Sequence, residues 1–364
     1  MSVDLRLPLR RITFPVRVTL FLFGCVAFAQ SPSAILPGPK PPDAPPEWKR
    51  LVGIYGYHSL NSPKETVIFF EKDQRLFMRP QASTGKPEEI RVMNGIVLIS
   101  DPGGRAYSYT EHFDESGDVT SFSYLVETFI RTDPGSDPSR SYHIKPSRPL
   151  EVLRPEALAA TPPKETGNFR RPDLVELALL DSGIHLDIRY ATSNDFLGTP
   201  VYSQARAFLQ RPAADALLRV QQKLKPLGYG LLIHDAYRPW YVTKIFWDAT
   251  PSEGKIFVAD PAQGSRHNRG CAVDLTLYDL ATGKPIEMPG TYDEMSPRSF
   301  PNYPGGTSLQ RWHRDLLRRA MESEGFTVYE AEWWHFDYQD WREYPILNVP
   351  FEKLDSGSGA TLVH

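Results

Sequence analysis

Between Trp48 and about Ile144, apolar and polar residues alternate in short runs: Thr66-Val67-Ile68-Phe69-Phe70, Arg75-Leu76-Phe77-Met78, Ile96-Val97-Leu98-Ile99, Ala106-Tyr107-Ser108-Tyr109 and Val119 to Tyr124, with turn residues between them. A two-residue period buries one face of a strand, so the region predicts a small antiparallel sandwich or barrel. Farther along, the period lengthens. Pro212 to Lys225 gathers Ala213, Leu217, Leu218, Val220 and Leu224 on one helical face, with Pro in the first turn and Gly228 beyond the end. A strand, Tyr229 to His234, should follow. Thr307 or Ser308 can cap a second helix presenting Leu309, Trp312, Leu316, Leu317, Ala320 and Met321, which Gly325 would stop before a strand from Phe326 to Tyr329. An all-strand region followed by a mixed α and β region predicts two domains, as 364 residues also suggest.

Proline marks the joints. Residues 30–46 carry seven prolines, a composition that stays extended and reads as a spacer, and a second run from Pro146 to Pro172 divides the two domains. The expected plan is therefore an export signal over 1–29, a spacer over 30–46, a small all-β domain over 47–148, a linker over 149–172, a mixed α and β domain over 173–352 and a tail over 353–364. The signal reading rests on Arg6, Arg10, Arg11 and Arg17 ahead of the apolar run Val18 to Ala29, which closes on Ala27-Phe28-Ala29. That run is shorter than the ~20 residues that span a bilayer, so no transmembrane span is expected after cleavage. The chain would act in the periplasm or outside the cell, with lipid attachment at Cys25 a lesser alternative.

Removal of the signal takes four Arg and one Asp from 41 basic and 44 acidic residues, leaving a net charge of -6 with His neutral. No basic block suits phosphates, which argues against nucleic acid as a partner. Of the two cysteines, Cys25 and Cys271, only the second would remain, so no internal disulfide can brace the mature chain.

The chemistry concentrates in two segments. Ser265-Arg266-His267-Asn268-Arg269-Gly270-Cys271-Ala272-Val273-Asp274 leads into a strand, where a carboxylate among apolar neighbours needs a cation or strong donors to be buried. Glu332-Trp333-Trp334-His335 sets an acid and an imidazole three residues apart between indoles that exclude water. Together they offer three metal ligands, His267, Asp274 and His335, and one spare carboxylate, Glu332, to move protons. Two imidazoles and one carboxylate also suit nonheme iron, but hydrolysis in an exported protein favours Zn2+. Arg238, in His234-Asp235-Ala236-Tyr237-Arg238-Pro239, can steady an oxyanion or a substrate carboxylate, or serve only as a salt bridge to Asp235. His58, His112 and His143 stand far apart without acidic companions and read as ordinary histidines.

These segments resemble the D-alanyl-D-alanine dipeptidase family of zinc peptidases over roughly Leu174 to Pro350. Ser-x-His-x-x-Gly-x-Ala-x-Asp and Glu-x-Trp-His are shared with D,D-carboxypeptidases. Arg189-Tyr190-Ala191-Thr192, Asp235 to Pro239 and Met288-Pro289-Gly290-Thr291-Tyr292-Asp293 favour the dipeptidase branch. The resemblance implies an α+β fold with a small antiparallel sheet flanked by helices, one Zn2+, and catalysis by Glu332 and Arg238. It also implies a substrate pocket holding Tyr190, Phe246, Ser265 and Asp293, with Asp293 meeting the free amino group. Tyr190 and Phe246 read equally as core aromatics, and Asp293 as a turn cap. Ala236 and Phe300 depart from the pattern, which commonly has Gly and His there. The all-β region is similar in outline to the small barrel appended to some secreted serine hydrolases, and reads as a scaffold or as a wall-binding accessory.

The expected activity is zinc-dependent hydrolysis of D-alanyl-D-alanine or a similar small dipeptide in cell-wall peptide turnover, with peptidoglycan fragments as further possible partners. The alternatives are a D,D-carboxypeptidase acting on longer wall peptides and a noncatalytic wall-binding protein.

Overall fold

The computed structural model describes residues 32–354, apart from 60–61, 84, 94–95, 101–103, 116–118, 126 and 136. The expected export signal, Cys25 and the tail from residue 355 onward lie outside the described residues. Among the described residues no helix is long and apolar enough to cross a membrane.

The alternating region closes into a barrel of eight antiparallel strands, with β1 Gly53–Ser59, β2 Ser62–Lys72, β3 Arg75–Pro80, β4 Glu88–Met93, β5 Ile96–Ser100, β6 Ala106–Phe113, β7 Val119–Tyr124 and β8 Glu127–Arg131 paired in chain order and β8 returning to β1. Of the two expected forms, closure into a barrel removes both free sheet edges. Its interior is aromatic. Tyr55, Phe69 and Phe122 meet edge to face at centroid distances of 5.0 to 5.1 Å, contacts worth about 0.5–1.5 kcal/mol each beyond the area they bury. A short helix, α1 (Pro46–Lys49), leads into β1.

The second unit is built on a five-stranded sheet in the order β10 (His185–Leu186), β12 (Tyr229–Asp235), β13 (Ala272–Asp279), β15 (Glu332–Tyr338) and β14 (Phe326–Tyr329). All its pairings are antiparallel except β10 with β12, which run parallel. That exception has a simple cause: the chain between these strands passes through β11 (Phe208–Gln210) and helix α3 (Arg211–Leu224), and such a crossover brings it back in the same direction. β11 also pairs with β9 (Leu174–Glu176) in a small separate sheet. α3 and α5 (Ser308–Glu322) cover the large sheet, burying Leu217, Val220, Leu224, Leu316, Leu317, Ala320 and Met321. Thr307 and Gln310 form a reciprocal capping box at the start of α5, and Gly325 takes the left-handed φ of 86° needed after its end.

Neither proline-rich stretch behaves as a free linker. In the first, Ile35 and Ala44 are buried, the Gly38 carbonyl accepts from Trp312 Nε1 at 3.0 Å, and Lys40 Nζ donates to the Tyr229 hydroxyl at 2.7 Å. The proline-stiffened backbone thus lies along α5 as a strap. In the second, Leu150–Ala159 forms helix α2, whose Leu150, Leu153 and Ala157 join the core beside α4 (Trp240–Ala249). The first stretch is extended as its prolines require yet docks through Ile35 and Ala44, and the second docks through Leu150, Leu153 and Ala157 at helical spacing.

The barrel docks firmly on the second unit. Ile54, Ile68 and Phe70 pack with Tyr303, Glu71 accepts from the Ser308 amide at 2.6 Å, and Arg311 donates to the Glu71 carbonyl at 2.8 Å.

Candidate active site

Sheet register brings the principal groups together. Asp235 on β12 lies opposite Asp274 on β13, which lies opposite His335 on β15, so three strands present their polar side chains in one row. The irregularity in β12 between Ile233 and Asp235 re-aims the strand end at this point. His267 enters from the short turn His267–Arg269 just before β13. Gly270 closes that turn with φ 67°, and a Cβ there would stand 2.5 Å from Leu174 Cδ2. Only glycine fits.

His267 Nε2 is 3.1 Å from His335 Nδ1 and 3.3 Å from Asp274 Oδ1, while His335 Nδ1 is 3.1 Å from that same oxygen. The outer nitrogens are engaged elsewhere: His267 Nδ1 lies 2.6 Å from the Ala236 carbonyl, and His335 Nε2 lies 2.9 Å from Asp337 Oδ1. These partners assign the ring protons outward and leave two imidazole lone pairs converging on Asp274 Oδ1, which is buried without a hydrogen bond. Three mutually facing electron pairs call for a positive charge among them, and a divalent cation fits. His267, Asp274 and His335 are the three residues among those described whose donor atoms could jointly hold one.

Burial pushes the Glu332 carboxyl up to about 7, the Asp274 charge adding to the effect and His335 opposing it. Its Oε2 is 3.6 Å from His335 Nδ1. Burial works against a charged Asp274, and its carboxyl lies well below the usual range only where positive charge stands on the side of His267 and His335. Arg238 is clamped by Asp235, whose Oδ2 accepts from Nε at 2.9 Å and lies 2.7 Å from the terminal nitrogen. The Tyr202 hydroxyl and the Ala236 amide bond the other oxygen at 2.6 and 2.9 Å. So fixed, the guanidinium sits 3.7 Å from Asp274 Oδ2 and over the rings of Tyr190 and Phe246. The structure thus gives Arg238 the salt bridge and a seat on the cavity at once.

All nine residues singled out in the sequence, Tyr190, Arg238, Phe246, Ser265, His267, Asp274, Asp293, Glu332 and His335, line one cavity of about 430 Å³. Ser265 also accepts from the His267 amide at 3.2 Å, so it shapes the turn. Asp293 has a φ of 58°, and burial together with the Asp274 charge pushes its carboxyl well above the ordinary range. Its Oδ2 is buried with no hydrogen-bond partner, an unsatisfied acceptor on a residue that lines the cavity. Phe300 is outside the lining and pairs with Phe257 at the rim, keeping that edge apolar. The Ala236 departure is neutral, since its backbone carbonyl and amide are used and its side chain is not. Sequence reading missed Asp337, Tyr202 and Tyr292, whose hydroxyl donates to Asp274 Oδ2 at 3.2 Å.

Residues 170–353 match the family described as D-ala-D-ala dipeptidase. The chain belongs to this family of metallopeptidases. Among curated relatives, D-alanyl-D-alanine dipeptidase of Escherichia coli is 35% identical over 179 residues, covering 49% of this chain and 91% of that protein. The enzyme of the same name from Enterococcus faecalis is 36% identical over 43% of this chain and 87% of its own length, and that from Streptomyces coelicolor 35% identical over 48% and 93%. In this dipeptidase-family chain the matched span holds the whole cavity lining and leaves the barrel outside it.

Proposed function

We propose that the chain hydrolyses D-alanyl-D-alanine or a similar small D-configured dipeptide, with His267, Asp274 and His335 holding one Zn2+. The observation that carries this reading is the unpartnered Asp274 oxygen facing two imidazole lone pairs beside the raised Glu332 carboxyl. When bound, such an ion supplies Lewis acidity and makes water nucleophilic near neutrality. Glu332 takes the proton of the attacking water and returns it to the leaving amine, a role suited to a carboxyl poised near 7. Arg238, immobilised by Asp235, offers its remaining N–H groups to the oxygen on which charge develops. Asp293, with Tyr190 beside it, receives the substrate ammonium, and an amine already acylated would leave that buried carboxylate unpaired. Ser265 and Phe246 complete the walls.

The arginines ahead of the apolar run 18–29 support export, and an exported enzyme would serve wall-peptide turnover or nutrient salvage. The decisive assay measures D-Ala release from a dipeptide panel together with bound metal. Activity should require metal, disappear on chelation and return with zinc. Equal cleavage of an N-acylated peptide would transfer the assignment to a D,D-carboxypeptidase, and a protein without metal or hydrolysis would leave a wall-binding role.

A further inference from the structure

Two loops that face the cavity are fastened to residues 133–135 and 137–141, just past the last barrel strand. The first loop carries Asp293. Its buried Arg298 reaches the carboxylate of Asp133 and the Gly135 carbonyl, donates from Nε to the Pro289 carbonyl at 2.9 Å, and lies 3.5 Å from Glu294 Oε1. Glu294 in turn accepts from the Thr291 amide at 3.0 Å, the Thr291 hydroxyl at 3.2 Å and the Ser296 hydroxyl at 2.5 Å. The loop is therefore closed on itself and tied outward through Arg298. Asp133 is itself set in the barrel, held by Arg131 at 3.0 Å and by the amides of Ile54 and Gly135. Gly53 makes room for this cluster, since a Cβ there would lie 2.5 Å from Arg131 and 2.6 Å from Asp133.

The second loop carries Tyr190. Its neighbour Arg189, 3% exposed, donates to the Ser141 hydroxyl at 3.1 Å, the Arg140 carbonyl at 3.3 Å and the Pro138 carbonyl, and its guanidinium stands 5.8 Å from the Tyr292 ring. Asp293 holds a left-handed φ uncommon for a residue with a side chain, a conformation that persists only where the surroundings over-determine it.

We propose that the barrel is a positioning element of the active site: Asp133 acting through Arg298, and residues 138–141 acting through Arg189, set the two loops whose Asp293 and Tyr190 receive the substrate amine. This rests on the reading that Asp293 meets that amine. Loss of the Asp133 charge frees the Asp293 loop without touching the three ligands or Glu332, so binding of the amine weakens while the chemical step persists.

The test uses full-length, zinc-loaded enzyme. Asp133→Asn is expected to raise KM for D-Ala-D-Ala roughly tenfold with kcat within about twofold, and to shrink the preference for a free over an acetylated amine by a similar factor. Arg298→Lys, which keeps a cation beside Asp133, should give an intermediate KM. Glu71→Gln weakens a separate barrel contact, the one its carboxylate makes with the Ser308 amide, and should lower the melting temperature without moving KM. Wild-type KM in Asp133→Asn, or the same kinetics in Asp133→Asn and Glu71→Gln, would overturn the proposal; if Asp133→Asn does not fold, Arg298→Lys carries the same readout. An unmoved KM in an active enzyme defeats the clamp alone, whereas a wild-type protein without hydrolysis defeats the proposed function.

Discussion

In the barrel, Tyr55, Phe69, Phe122 and Phe129 form an aromatic interior, with the Arg131 guanidinium against the Tyr55 ring and its hydroxyl. In the peptidase unit, Asp235, Asp274, His267, His335 and Arg238 lie equally deep, each less than a tenth exposed. One interior gains from burial itself; the other gathers charges that burial penalises, compensated by one another and by the cation they can hold. Substitutions should therefore act on stability in the first and on chemistry in the second.

The sharpest separation is at Glu332. Replacing it with Gln should lower kcat by about 10²–10⁴-fold while bound zinc and melting temperature stay close to wild type, as steady-state kinetics with metal analysis can check. The mirror case is Phe122→Ala, expected to destabilise the barrel by about 3–5 kcal/mol in denaturant unfolding with zinc per protein unchanged. If that variant sheds its metal, the two interiors are not independent.

Smaller effects probe the supports. Asp337→Ala removes the acceptor of His335 Nε2 and should weaken zinc affinity or activity by about 10–100-fold, read by competition with a chelator. His313, bonded to the Tyr229 hydroxyl at 3.0 Å, is pushed down to about 4, chiefly by burial and then by Lys40. Its folded pKa lies below the unfolded value of about 6.5, so the unfolded chain binds the extra proton first. Stability is retained above pH 6.5 and falls as the pH drops toward 4, by about 2 kcal/mol between pH 7 and 5. In His313→Gln that portion of the melting profile should flatten.

The ligands were legible because chemistry and local structure coincide in the chain: His267 and Asp274 flank a glycine turn into a strand, and Glu332 and His335 share the start of another. Asp337 was within reach, since it follows His335 by two residues along the same strand and so shares its face. Tyr202 and Tyr292 were not, for a tyrosine's partner depends on which strands become neighbours. The strap at residues 35–44 and helix α2 escaped for another reason. Proline content reports backbone stiffness, whereas docking is decided by Ile35, Ala44, Leu150 and Leu153.

The row Asp235, Asp274, His335 belongs to three strands far apart in the chain and exists only once their ladders have formed. On the reading that His267, Asp274 and His335 hold an ion, that ion would bind a sheet already paired and would not nucleate it as in small zinc modules. On that reading the protein would inspect its own folding, because a chain that paired its strands wrongly would lack the metal site and be inert.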